Sequence, residues 1–238
     1  MKKSIVIGAT SGIGRGFAQR LVEEGYIVGI TGRREDLLKS LEEESPDSYI
    51  TCVMDNTDIE SVHKKLEELV TKLGGLDLLF LSSGTGKRNP ELDYSIEKMT
   101  VDTNICGFTA IAVWTYNFFE RQGFGYFAAV SSVAGTRGNR IAPSYSATKA
   151  YQMSYMEGLI QKSKNSRKPI YVTDIRPGFV DTAMGHGEGA FWIAPVKKSV
   201  DQMYKAMMSH RNVVYVTKRW RFVALLFRYV PSFIYKRI

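Results

Sequence analysis

Two cysteines in 238 residues, Cys52 and Cys106, are too few and too isolated for a disulfide framework or a cysteine-rich metal site. Their scarcity fits a reducing compartment. No uninterrupted apolar stretch approaches the roughly 18 residues of a membrane span. The opening Met1-Lys2-Lys3 runs straight into a strand-like segment too short for a signal-peptide core, so a cytoplasmic location is expected. Repeats and low-complexity tracts are absent too. What is present, 44% hydrophobic and 24% charged residues, suffices to bury a large core. We expect one domain spanning residues 1–238.

Acidic residues are missing from one region. Residues 211–238 hold seven Lys/Arg (Arg211, Lys218, Arg219, Arg221, Arg228, Lys236, Arg237) and no Asp or Glu. Taking those seven from the net charge of +8 leaves +1 for the rest. A nearly neutral body argues against nucleic acid as a partner and confines the charge question to the tail.

Strand-like and helix-like patterns alternate along the chain. Residues 4–7, 27–31, 49–54, 77–82, 126–131 and 170–175 read as strands. Residues 13–24, 35–44, 59–73 and 144–163 read as helices between them, and 95–121 as one long helix. The run at 77–82 is apolar throughout, as a strand buried on both faces requires. The alternation predicts an α/β fold: a doubly wound, Rossmann-type three-layer sandwich around a central parallel sheet.

Gly8-Ala9-Thr10-Ser11-Gly12-Ile13-Gly14 joins the first strand to the first helix. Glycines allow positive φ and close backbone approach, and a helix N-terminus favours phosphate. A plain turn also uses glycine, but strand before and helix after are the context that nucleotide binding needs.

Tyr145 and Lys149 form a Y-x-x-x-K at the start of a predicted helix, four residues apart and so on one face. An unperturbed tyrosine titrates near ~10. A neighbouring ammonium favours the phenolate and brings the group within range of general acid/base work. Tyr94 and Lys98 match the same pattern, and that copy reads as a solvated helix start. Only the Tyr145 copy has a serine thirteen residues upstream, Ser132, at the carboxyl end of a strand where open sheets bind ligands.

The glycine spacing G-x-x-x-G-x-G and the segment from Ser131 to Lys149 resemble the short-chain dehydrogenase/reductase family, and matched segments run from about residue 3 to 210 in order along the fold. The resemblance implies an oxidoreductase interconverting a carbonyl and an alcohol with a nicotinamide dinucleotide. In it, Tyr145 is the general acid/base and Lys149 lowers its pKa and binds the nicotinamide ribose. Ser132 holds the substrate oxygen, and Asn104 matches the asparagine that supports a proton-relay water. Gly8, Thr10, Ser11, Gly12, Ile13 and Gly14 would hold the cofactor at one end. Asp55 would lie near the adenine. Pro177, Gly178, Val180 and Thr182, in a P-G-x-x-x-T segment, would meet the nicotinamide end.

Two arginines, Arg33 and Arg34, stand at the end of the second strand, where an acid would bind the ribose hydroxyls of NAD and repel a 2′-phosphate. Cations are unfavourable at a helix start, which supports a ligand role, Arg33 meeting the 2′-phosphate with help from Arg34. NADP(H) is therefore the expected cofactor. The sequence departs from the family after the fourth strand: Leu81-Ser82-Ser83-Gly84 replaces N-N-A-G, so Gly84 keeps the close approach while asparagine contacts are lost. Ile7 also replaces a common threonine.

Residues 183–195 sit where a substrate lid is expected, and Phe191 and Trp192 either close on an apolar or aromatic ligand or anchor the loop. His186 has no second histidine or acidic cluster beside it, so no metal site is expected. In the extension 218–238, Phe222, Leu225, Leu226 and Tyr229 recur at helical spacing until Pro231 breaks it. The extension either packs on the body or on a second subunit, or makes weak contact with an anionic membrane surface. A homodimer or tetramer is expected from the family alone. Two other functions compete with a small-carbonyl reductase. One is a β-ketoacyl carrier-protein reductase, set aside because the basic residues cluster in the tail rather than at the active-site mouth. The other is an NADPH-binding redox sensor without turnover, which the complete Ser132, Tyr145, Lys149 and Asn104 set argues against.

Overall fold

A computed structural model describes residues 1–186 and 189–237. Residues 187 and 188 of the expected lid and residue 238 of the expected extension lie outside the described residues. The seven strands are β1 (Lys3–Ile7), β2 (Ile27–Gly32), β3 (Tyr49–Val53), β4 (Leu78–Leu81), β5 (Gly125–Val130), β6 (Ile170–Pro177) and β7 (Val213–Val216). All pair in parallel, in the order β3-β2-β1-β4-β5-β6-β7. Chain order reverses between β1 and β4, so a crevice opens there beyond the carboxyl ends of the strands.

Period-two alternation sends successive side chains to opposite faces. On β1, Val6 joins a core formed with Phe17 and Leu21 of α1 (Gly12–Glu23), Leu38 of α2 (Glu35–Glu42) and Met203 of α7 (Val196–Met208). Ile5 and Ile7 point the other way, toward Leu66 of α3 (Ile59–Leu73), Ile111 and Phe119 of α5 (Phe108–Gln122) and Met156 of α6 (Pro143–Asn165). Phe17 stacks on Phe80 with ring centroids 3.7 Å apart, which clamps α1 over β4. The three-layer sandwich is as expected.

The single helix expected over 95–121 is a correction. Helix α4 (Tyr94–Val101) passes into a π-helical turn, Asp102–Gly107, before α5 begins. Such turns place a side chain off the regular helical stripe; here it is Asn104, wholly buried. Beside it Gly107 lies so near the Asn56 carbonyl that a Cβ would fall 2.4 Å from that oxygen. The Tyr94 copy of Y-x-x-x-K is solvated: Tyr94 is 75% exposed and Lys98 bonds Asp102 instead. Beyond β6, α7 and β7 complete the sheet, and the tail forms α8 (Trp220–Tyr229) and, after Pro231, the short α9 (Ser232–Tyr235). No helix among the described residues is long and apolar enough to cross a membrane.

Candidate active site

The turn after β1 leads directly into the N-terminus of α1. Gly8 and Gly12 have φ of +85° and +55°, conformations that side chains disfavour. A Cβ on Gly14 would lie 2.1 Å from the Gly8 carbonyl oxygen, so the helix end can seat this close only as glycine. The first turn of α1 carries no acidic residue, and Ser11 makes no side-chain cap, leaving its N–H groups available to an anion. The Arg34 guanidinium reaches back to donate to Thr10 Oγ1 at 2.7 Å and Ser11 Oγ at 2.9 Å. The Arg33 side chain is 66% exposed and stands 4.0 Å from Asp55. This end fits the diphosphate of a dinucleotide.

The asparagines that the strand-end sequence lacks are partly replaced in space. Asn56, three residues beyond β3, donates its amide to the Ser83 hydroxyl. Ser83 backbone in turn lies against Gly8, within 2.8 Å of where a Cβ would stand.

At the other end of the cleft, Tyr145 and Lys149 occupy one face of α6, with the Lys149 Nζ 5.8 Å from the phenol ring centroid. Ser132 begins the turn after β5 and donates its hydroxyl to the Pro177 carbonyl at 3.4 Å. Its Oγ accepts from Ala134 N–H at 3.1 Å, which fixes the rotamer. Burial pushes the Tyr145 phenol above its ordinary value, and the neighbouring Ser132 hydroxyl opposes the rise. Burial likewise lowers the Lys149 ammonium to about 8, against the pull of Asp174 beneath it. Asp174 itself is raised by burial, while its ion pair with Arg176 at 2.6 Å and the Ser131 hydroxyl work the other way.

Lys149 donates to the Val130 carbonyl at 3.0 Å and to Gln152 Oε1 at 2.8 Å. Gln152 Nε2 then donates to the main-chain oxygen of Asn104 at 2.9 Å. The Asn104 side chain is tied to Thr85 through both its amide atoms, and donates to Thr148 Oγ1 as well. Gln152 thus bridges lysine and asparagine directly, on the path expected for a relay water. Sequence reading missed it, although its place three residues after Lys149 on one helix face was visible. Gly86 was missed too: a Cβ there would meet the Tyr145 ring at 2.3 Å, so only glycine admits the phenol.

One cleft of about 1060 Å³ joins the two ends. Every residue singled out for catalysis or cofactor binding lines it except Gly14 and Asn104, which lie just behind the wall. Thr182 packs over Gly12, and Val180 is held by a bridge to Ala194. The Tyr145 end of the cleft is aromatic. Phe179, Phe191, Trp220, Phe227 and Tyr235 line it, with Arg137 stacked on Tyr235 at 4.4 Å. Trp220 lies flat on Gly178, where a Cβ would come within 2.0 Å of the indole. Phe191 packs on Trp220 at 5.0 Å, and Arg219 donates to the Trp192 carbonyl at 3.1 Å, so the loop rests on the tail helix. Trp220, Phe227 and Tyr235 of the tail line the cleft, whereas none of the tail's described Lys or Arg residues does. Among the described residues no cluster could hold a metal, and His186 pairs with Asp181 at 2.7 Å.

Comparison with known proteins identifies the family and the fold. The sequence profile of the family described as short chain dehydrogenase matches residues 2–190. An uncharacterized oxidoreductase of Myxococcus xanthus is 31% identical over 188 residues, covering 77% of this chain and 74% of its own. One from Staphylococcus aureus strain USA300 is 31% identical over 186 residues, covering 77% and 80%. Among solved structures, a short chain dehydrogenase/reductase from Burkholderia phymatum in complex with NAD superposes with a TM-score of 0.85 at 17% identity, covering 94% of this chain and 92% of its own. The apo form of LigD from Sphingobium sp. strain SYK-6 gives 0.84 at 19% identity, covering 100% and 97%. The structural likenesses speak for the fold, and the profile and sequence relatives for descent. The chain belongs to the short-chain dehydrogenase family of oxidoreductases.

Proposed function

We propose that the protein is an NADP(H)-dependent oxidoreductase that interconverts apolar or aromatic carbonyl compounds and their alcohols. The observation that carries this reading is a single cleft with an anion-binding helix end and two arginines at one extreme, and Ser132, Tyr145 and Lys149 under an aromatic wall at the other. A bound reduced nicotinamide would supply hydride to the carbonyl carbon. Tyr145 gives its phenolic proton to the oxygen as negative charge develops there, and Ser132 donates a hydrogen bond to the same atom. Lys149, charged below about pH 8, stabilises the phenolate that Tyr145 leaves behind. Val130 and Gln152 hold that ammonium in place. Gly8 to Gly14, with Thr182, would cradle the diphosphate.

NADP(H) is favoured over NAD(H) by Arg33 and Arg34, which stand at the strand end with no acid before Glu35. Arg34 is already drawn against the glycine turn by Thr10 and Ser11, while Arg33 remains open to solvent. A second reading, reduction of an acyl group on an acidic carrier protein, is favoured by one feature: the basic side chains of Lys87 and Arg137 line the cleft. The test is carbonyl-dependent oxidation of NADPH, followed by its absorbance, across aldehydes, aryl ketones, quinones and β-ketoacyl thioesters. Turnover of apolar or aromatic carbonyls with NADPH well above NADH is the expected result. Equal efficiency with both cofactors would remove the NADP(H) assignment, and preference for carrier-bound thioesters would favour the second reading.

A further inference from the structure

Helix α8 has two apolar faces, and only one of them is covered. At about 100° per residue, Trp220, Val223 and Ala224 fall on the side packed against Val133, Phe179 and Tyr215. Phe222, Leu225, Leu226 and Tyr229 fall opposite, and are 74%, 52%, 63% and 74% exposed. Phe233 and Ile234 of α9 add 68% and 44% exposed apolar side chains just beyond. Arginines border the outward face on both sides. Arg221 and Arg228 share one flank, and Arg219, held by the Trp192 carbonyl and stacked on its ring at 4.6 Å, marks the other.

We propose that this outward face of α8 is a docking surface for an anionic lipid bilayer. The apolar side chains would sink into the boundary between headgroups and acyl chains, while the arginines meet the headgroup phosphates. Charge selects this occupant over a second copy of the chain. A two-fold contact would set the patch against itself, bringing together the arginines of a segment that holds no Asp or Glu from residue 202 to 238. Four large exposed apolar side chains on ten residues also exceed what an acidic protein partner would need for charge pairing alone. The helix, about 15 Å long, suits a position in the plane of the interface. Its inner face contributes Trp220 to the cleft wall, so docking would bring the substrate chamber against the lipid. This inference concerns binding and stands independently of the reaction proposed above.

The full chain is sedimented with vesicles of phosphatidylcholine alone, or of equal parts phosphatidylcholine and phosphatidylglycerol, at low and at roughly 0.5 M salt, where charges are screened within a few Å. The expected result is co-sedimentation with the anionic vesicles only, weakened by salt. Arg221→Gln with Arg228→Gln should weaken it by roughly 25-fold, at about fivefold per lost charge. Leu225→Glu with Leu226→Glu should abolish it. These four residues lie outside the cleft, so unchanged NADPH affinity verifies that the variants are folded. No sedimentation at low salt, or equal sedimentation with both vesicles, would overturn the proposal. So would a dimer that dissociates in the Leu225→Glu, Leu226→Glu variant without vesicle binding by the wild type, or saturable binding of an acidic carrier protein in place of vesicles.

Discussion

Gln152→Leu tests the proton machinery through a residue that never touches substrate. In the native site the buried Lys149 ammonium has two acceptors, Val130 O at 3.0 Å and Gln152 Oε1 at 2.8 Å. Leucine removes the second and offers no replacement. A hydrogen bond to a charged group contributes roughly 1.5–3 kcal/mol, and one pKa unit corresponds to about 1.4 kcal/mol. The Lys149 pKa, already lowered to about 8, should therefore fall by a further ~1–2 units. Carbonyl reduction needs Lys149 charged, so its loss of activity on the alkaline side should move down by the same interval. At about pH 7.5 the rate should drop roughly 3- to 25-fold, while near pH 5.5 it should approach the wild-type value. The assay is kcat/KM for NADPH-dependent reduction as a function of pH. Gln152→Glu, which restores an acceptor and adds charge, should move the limb upward. A pH profile that keeps its shape while falling uniformly would refute the reasoning, because a merely structural role would do that.

Three other outcomes follow from the same geometry. Lys149 is held with its pKa lowered to about 8 from the ordinary 10.5, so the unfolded state binds more protons between those values and stability should rise with pH across that window. Lys149→Met should flatten that rise, by about 3 kcal/mol in total, in denaturant titrations at fixed pH steps; an unchanged slope would count against a buried, charge-strained lysine. Replacing Arg33 and Arg34 by alanine should raise the KM for NADPH roughly 10- to 100-fold and leave that for NADH within a few fold, since only the 2′-phosphate loses its charged partners. Trp220→Ala should cost about 3–5 kcal/mol of packing between α8 and Gly178, seen as early proteolytic release of the tail, whereas Leu226→Ala on the outer face should leave proteolysis unchanged.

The parts of the molecule legible in the sequence are those set by local spacing. The Gly8–Gly14 turn lies between a strand and a helix, and Tyr145 and Lys149 share a helix face four residues apart; both patterns carry their geometry with them. The six strands from 4–7 to 170–175 were visible because strands buried on both faces are apolar in sequence. What escaped depends on contacts between distant segments. The π-helical turn at Asp102–Gly107 keeps helical spacing on either side, and its cause lies in Thr85 and Asn56. Gln152 reads as a polar helix residue until that turn brings the Asn104 carbonyl to it. The tail reads as an appendage, yet Trp220 closes the substrate end because Gly178 leaves room for an indole. The elements α7 and β7 had a weaker signal, with Val200, Met203 and Met207 at helical spacing but only four residues of strand.

The most direct test of the central claim is Tyr145→Phe, measured for both NADPH binding and turnover of the best carbonyl substrate. The substitution keeps the ring against Gly86 and removes only the hydroxyl. The account predicts NADPH affinity within a few fold of wild type and turnover lower by roughly 10²–10⁴, the range of general acid catalysis. Turnover at wild-type rates, with binding intact, would show that Tyr145 is not the proton donor and would contradict the account.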